Sequence, residues 1–370
     1  MNAARGKNDI AMTKDEKTET WLRDLLAAFP EHPPLLQRLE EANRATGSTD
    51  LHSGEMYDAI LAAVSALKRA CGQAFGIEPV QAQPNYGNNG VLDSLMTAAR
   101  LIPGAPEGGV LVPSPTYFHN HRAAAARGLK LRLVPPTADL RFDAATFLRR
   151  MEEERPALAL LVSPNNPTGI AIPDDELLAV LDRLPAGTWG VLDRTLVNAS
   201  PEVSTPALLH RYRDRPLVIL HSFSKYKRLS HQRIGVALYS NPDFARAVEP
   251  FLPLGLGLEG CLRAWQCVTE DGGIVADPSI VRNIRLNREC LDAFSRQHPR
   301  FSITDFSGNF CLLRLPDGLR SQAITEWLAS QGMMVMGGHG LAEPDASVLR
   351  IHVGSPLEDV RRLCDLLARA

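Results

Sequence analysis

The sequence predicts an α/β protein with a large, doubly wound, mostly parallel sheet domain followed by a smaller α+β domain. From about Val80 to Ser240, short apolar runs alternate with helical stretches, the order that builds a parallel sheet with crossover helices. After about Glu270 the texture changes to a long Arg-rich helix, two strand candidates and two more helices. A chain of 370 residues also exceeds what one simple core organises, so one large and one small domain are expected. The expected division is a disordered tail over 1–18, an N-terminal segment over 19–55 that packs with the small domain, a large domain over 56–270 and a small domain over 271–370.

The elements follow in order. Met1 to Thr18 is polar and mixed in charge, with no apolar core of an export signal. Trp21 to Phe29 has an amphipathic helical pattern that Pro30, Pro33 and Pro34 end. Glu55 to Phe75 reads as a longer helix with Ile60, Ala63, Val64 and Leu67 on one stripe. Strands are expected at Val110–Val112, Leu131–Val134, Leu158–Val162, Gly190–Leu192, Leu217–Leu220 and Ile234–Leu238, with a helix at Asp174–Arg183 among them. The C-terminal part reads as helix Pro278–Gln297, strand Asn309–Leu313, helix Ser321–Ser330, strand Val348–Val353 and helix Leu357–Ala370.

Composition narrows the function. With 45% hydrophobic and 22% charged residues and a net charge of -2, nothing in the bulk electrostatics favours nucleic acid or an anionic membrane as partner. No apolar run approaches the roughly 20 residues that span a bilayer. The six cysteines form no C-x-x-C pair and read as reduced, buried thiols rather than a metal site, which points to the cytoplasm.

The residues that carry chemistry lie just past strand candidates, where doubly wound sheets gather function. Lys225 follows Ser222-Phe223-Ser224, and Arg233 comes eight positions later. A lone lysine there is ordinarily a solvated surface residue. A lysine that forms a Schiff base instead needs a rigid loop at a strand end and groups that hold a phosphate dianion, and Ser222 and Arg233 suit the latter. Ser163-Pro164-Asn165-Asn166-Pro167-Thr168-Gly169 is either a plain turn or the loop that aims the Asn166 amide at a cofactor ring. Asp193 is either a helix cap or the partner of a protonated ring nitrogen. Gly87-Asn88-Asn89-Gly90 ahead of the helix Val91–Leu101 offers backbone N–H groups to a phosphate. Tyr117 is either core or a ring that stacks on a cofactor. Arg350, inside an apolar strand, is costly unless paired, by a structural carboxylate or by a substrate's.

Taken together and in this order, these segments resemble the class I/II aminotransferases of fold type I, from about residue 50 to the end. Gly308-Asn309-Phe310 and Leu349-Arg350-Ile351-His352-Val353-Gly354 look most like the histidinol-phosphate aminotransferase branch. The resemblance implies pyridoxal 5'-phosphate as cofactor. It implies Lys225 as the Schiff-base lysine and acid/base at the substrate α-carbon, Asp193 at the pyridine nitrogen and Asn166 at the ring oxygen. Gly87, Asn88, Asn89, Ser222 and Arg233 would hold the phosphate, Tyr117 would stack on the ring and Arg350 would bind the α-carboxylate. It further implies amino-acid and oxo-acid substrates and a homodimer with shared active sites, in which Tyr57 reaches the partner's cofactor phosphate.

The chain also departs from the family pattern. After Asp193 come Arg194, Thr195 and Leu196, so Leu196 stands where the family carries a tyrosine that touches the ring oxygen. After Lys225, the run Tyr226-Lys227-Arg228-Leu229-Ser230-His231-Gln232 replaces a glycine-rich apolar stretch, and it reads equally as a solvated loop or as groups that serve an anionic substrate or a second acid/base step. Transamination between an L-amino acid and a 2-oxo acid is therefore the first reading. A lyase, decarboxylase or cyclase working on the same cofactor is the second, and a non-catalytic regulatory domain the third. Phe118-His119-Asn120-His121 and the loop Leu252–Gly260 are expected to shape the substrate pocket.

Overall fold

The computed structural model describes residues 51–101, 108–200, 202–253 and 255–369, with side chains from Ala59 onward. The expectations for the tail, for Trp21–Phe29 and for the packing of 19–55 lie outside the described residues.

The chain opens with α1 (Leu51–Phe75), β1 (Ala82–Asn85), α2 (Asn88–Leu101), β2 (Val110–Pro113), α3 (Phe118–Ala126) and β3 (Leu131–Val134). It continues through α4 (Ala144–Glu154), β4 (Leu158–Val162), α5 (Asp174–Asp182), β5 (Trp189–Asp193), α6 (Thr205–Arg211), β6 (Leu217–Ser222), α7 (Phe223–Tyr226) and β7 (Gly235–Tyr239). Then come α8 (Pro242–Val248), α9 (Leu258–Asp271), α10 (Pro278–Gln297), β8 (Ser302–Ile303), β9 (Phe310–Arg314), α11 (Ser321–Ser330), β10 (Met336–Gly337), β11 (Val348–His352) and α12 (Leu357–Leu367).

Seven strands form one sheet in the order β1-β7-β6-β5-β4-β2-β3. β2 to β6 run parallel to their neighbours, and β7 alone is reversed, pairing antiparallel with both β6 and β1. Alternation along the strands feeds two cores. Leu111, Leu161, Leu192 and Ile219 pack with α1, α4, α5, α6 and α9 on one face, while Val112, Leu160, Val191 and Leu220 pack with α2, α3 and α8 on the other. Both faces are buried, so the strands read as continuous apolar runs in the sequence.

A second sheet of four antiparallel strands, β10-β11-β9-β8, follows. Cys311, Leu313, Leu349 and Ile351 turn into a third core with α10, α11 and α12. The register sets Met336 opposite Arg350 and Arg350 opposite Leu312, so these side chains share the other face of this sheet.

Three strands escaped the sequence reading. β1 reads Ala-Gln-Pro-Asn, with no apolar run, yet all four residues are buried. It is an edge strand, the place a sheet admits proline, and Gln83 Nε2 donates to the Ala245 carbonyl at 2.7 Å. β8 and β10 have two residues each, too short for any periodicity. One boundary also moved. The α2 helix begins at Asn88, three residues before its expected start, so Asn88 and Asn89 form its first turn.

Candidate active site

The parallel strands β2, β4, β5 and β6 end on the same side, and the segments after them surround a cavity of about 280 Å3. Asn88, Asn89, Tyr117, Asn166, Asp193, Ser222, Lys225, Arg233 and Arg350 all line it. Residues up to 262 positions apart in sequence thus meet in one hollow, with Arg350 contributed by the second sheet. Gly87 sits at its edge with φ +83°, and a Cβ there would lie 3.7 Å from Arg233 Nη2 and 4.0 Å from Ser222 Oγ. This backbone conformation is the one that favours glycine. The side chain of Tyr57 lies outside the described residues.

Lys225 is positioned by the short helix α7. Ser222 caps it, its Oγ accepting from the Ser224 amide at 3.2 Å, and the buried Phe223 and Tyr226 fix it on both sides. The lysine is half-buried, and its pKa is pushed below the ordinary range by burial first, then by the Arg350 and Arg233 guanidiniums. A lowered pKa supplies the neutral amine that nucleophilic chemistry needs. Asp193, the last residue of β5, is only 4% exposed. Its carboxylate accepts from the Thr195 amide at 2.9 Å and from Asn88 Nδ2. Burial pushes its pKa up, and these two hydrogen bonds only partly oppose that. It is a carboxylate in a strand-end floor, not a helix cap.

Arg350 Nη1 donates to Asn166 Oδ1 at 2.9 Å, and its guanidinium lies 4.4 Å from the centre of the Phe310 ring. Since arginine only donates, the Asn166 oxygen must face it and the amide NH2 is left for the cavity. Arg350 is paired by an amide and an aromatic face among the described residues rather than by a carboxylate, which leaves its charge available to an anion. Leu196, in place of the family's tyrosine, lines the cavity, and Thr195 lines it too.

The basic run after Lys225 turns away. None of Lys227, Arg228 and His231 lines the cavity. Lys227 pairs with Asp271 at 2.5 Å, Arg228 donates to Ser279 Oγ at 3.1 Å, and His231 is exposed. Tyr226 is buried, its hydroxyl donating to the Leu196 carbonyl at 3.3 Å. The geometry supports a structural, solvated loop over a second acid/base group. Of the expected pocket-shaping segments, Phe118 lines the cavity, and none of the described residues of Leu252–Gly260 does. His119, Asn120 and His121 instead bond to Asp93, Thr116 and Glu343.

The sequence reading missed Ser224, Phe310, Met336 and Leu341 as lining residues. Ser224, two positions past Ser222 and beside Lys225, was the one with a signal. Its Oγ is buried without a partner among the described residues, as is Asn88 Oδ1.

The lining fits pyridoxal phosphate. Asp193 is buried with no ion pair among the described residues, and a protonated pyridine nitrogen supplies the missing cation. The unpartnered Ser224 hydroxyl, the open space at Gly87, the first turn of α2 and Arg233 suit a phosphate dianion.

The comparisons with known proteins agree. The model of the family "Aminotransferase class I and II" matches residues 28–367. A histidinol-phosphate aminotransferase of Methylibium petroleiphilum is 28% identical over 307 residues, covering 81% of this chain and 78% of its own. Among solved structures, the histidinol-phosphate aminotransferase of Sinorhizobium meliloti, in complex with pyridoxal-5'-phosphate, superposes with a TM-score of 0.66 at 22% identity, over 91% of this chain and 87% of that one. The L-threonine-O-3-phosphate decarboxylase of Porphyromonas gingivalis superposes with a TM-score of 0.66 at 19% identity, over 85% of this chain and 95% of that one. At those identities the two structures speak for the fold alone. With the family model spanning nearly the whole chain, this protein belongs to the class I and II aminotransferases and is a pyridoxal-phosphate-dependent enzyme.

Proposed function

We propose that the enzyme moves an amino group between an L-amino acid and a 2-oxo acid, with the cofactor attached covalently through Lys225. The observation that carries this is the meeting of three groups in one cavity: a half-buried lysine with a lowered pKa, a buried unpaired carboxylate and an arginine with no carboxylate partner. Pyridoxal phosphate supplies a carbonyl that condenses with amines and a ring that withdraws electrons from the substrate α-carbon.

The chain's own residues do the rest. Gly87, Asn88, Asn89, Ser222, Ser224 and Arg233 hold the phosphate, and Tyr117 covers the ring. Asp193 keeps the ring nitrogen protonated, while Asn166 donates its free amide to the ring oxygen. Arg350 clamps the substrate carboxylate, and its tie to Asn166 fixes both groups in one frame. Lys225 would hold the cofactor and, with its amine free, would move the proton at the substrate α-carbon. The residues 56–270 and 271–370 form the large and small domains, and two copies pair with Tyr57 reaching the partner's phosphate; the family resemblance supports both.

Borohydride reduction of the holoenzyme followed by digestion and mass analysis is expected to find the cofactor on Lys225. Lys225→Ala should lose about 10^2–10^4-fold or more in turnover. An L-amino acid should convert the bound cofactor to its amino form with release of the matching 2-oxo acid. Cofactor on another residue overturns the Lys225 assignment. Release of carbon dioxide without amino transfer overturns transamination in favour of a lyase or decarboxylase.

A further inference from the structure

Part of the cavity lining is apolar. Met336 stands directly across from Arg350 in the sheet register, and Phe118, Leu341 and Ala342 line the same cavity. Past Met336 the cavity adjoins a groove of about 350 Å3 that shares Phe310, Met336 and Arg350 with it and runs along Met333, Met334 and Val335. Met334 is 88% exposed and Met336 40% exposed, two large apolar side chains left uncovered among the described residues. Flexible thioethers accommodate varied apolar shapes.

Charge points the same way. The cations that line the cavity are Lys225, Arg233 and Arg350, and the proposed chemistry uses all three, as amine, phosphate clamp and carboxylate clamp. Among the described residues, no lining cation is left for a second anionic group on the substrate. The residue after the lining Ala342 is Glu343, a carboxylate. It accepts from the Thr116 amide at 3.0 Å and from the Ser114 hydroxyl, and lies 3.1 Å from His121 Nε2. In the groove, His352 is held down to about 4 by partial desolvation of its ring and by the Lys225, Arg350 and Arg228 cations, so it is neutral near pH 7 although the residue is exposed. Arg362, exposed at the rim, is tied to the Gln331 carbonyl at 2.6 Å.

We propose that the amino substrate carries a large, uncharged, apolar side chain, seated against Met336, Leu341 and Phe118 and extending toward the Met333–Met336 groove. A substrate whose side chain carries a carboxylate is disfavoured, because it would bury that charge against hydrocarbon and thioether. The inference rests on the reading of Arg350 as the carboxylate clamp.

The test uses the full-length holoenzyme and substrate analogues that lack an α-proton, so that occupancy is read apart from turnover. α-Methyl-L-phenylalanine is expected to perturb the cofactor absorbance at a concentration at least about tenfold lower than α-methyl-L-aspartate does. Equal or tighter binding of the aspartate analogue overturns the proposal. If the apolar analogue binds as expected but no amino acid is ever converted, transamination fails and the side-chain reading stands. Met336→Arg should shift the preference toward the anionic probe by about tenfold or more, and Met336→Leu should leave it in place. Leu341→Arg serves the same purpose if Met336→Arg does not fold. A preference unmoved in a folded arginine variant overturns the assignment of this wall.

Discussion

Asp193 shows how one residue's environment encodes the cofactor before any cofactor is considered. A carboxylate buried at the end of β5 with two hydrogen bonds and no cation has its pKa raised from 3.8. In the cofactor-free protein it stays protonated over a range where the unfolded chain has already released its proton. Folding therefore binds a proton, and stability falls as pH rises from about 4 up to the folded-state pKa, then levels off. Bound cofactor supplies a positive ring nitrogen and cancels the cost. For the cofactor-free enzyme, the denaturation midpoint of the wild type relative to Asp193→Asn is expected to fall over that interval, against the opposite slope from carboxylates held low, such as Asp143 and Asp277. That relative fall should be absent in the holoenzyme. The same variant should bind cofactor about 10–100-fold more weakly, the worth of one charge-assisted hydrogen bond. A pH slope unchanged in Asp193→Asn would show that another group carries it.

At the scale of elements, the Asn166 loop is held to the second sheet through backbone contacts as well as through the Arg350–Asn166 side-chain bond. Gly169 has φ +74°, and its carbonyl accepts from the Ser307 and Gly308 amides, both at 3.0 Å. A Cβ at Gly169 would fall 1.6 Å from the Phe310 carbonyl oxygen, which no rotamer relieves. Gly169→Ala must therefore separate the loop from β9, at a cost of about 3–5 kcal/mol. A large drop in denaturation midpoint is expected, with loss of activity because Asn166, Phe310 and Arg350 lose their common frame. A midpoint near wild type would mean that the contact is not under tension. Helices and buried parallel strands were legible in the sequence because their apolar periods extend over several residues. Pro278–Gln297 and Ser321–Ser330 were expected with the ends they have. β1 was illegible because its buried positions include Gln, Pro and Asn, and the Ala245 carbonyl that takes the Gln83 amide is a partner that only the tertiary structure supplies.

The whole molecule brings its two sheets together at the cavity, and this determines what the sequence could reveal of the site. Residues with distinctive chemistry at strand ends, such as Lys225, Asn166 and Asp193, were visible as motifs. Met336 and Leu341 were not, since an apolar wall carries no signal until the second sheet is laid against the first. Glu343 belongs to this class. It lies between β10 and β11, yet its carboxylate bonds to Ser114, to the Thr116 amide and to His121, all beyond the end of β2. With the Arg350–Asn166 bond and the Gly169 contacts, it is one of the ties that span the two sheets around the cavity. Glu343→Gln keeps the shape and removes the charge, so each hydrogen bond it accepts weakens from a charged to a neutral one, by about 1 kcal/mol apiece. The global denaturation midpoint should move little. Backbone amides over 338–346 should exchange faster, because local opening no longer breaks charged contacts, and KM should rise several-fold while kcat falls less. Unchanged exchange over 338–346 in Glu343→Gln would mean that the segment is held by its own turns, and that the other contacts between the sheets, such as Arg350–Asn166 and Val197–Asn309, register the second sheet on the first.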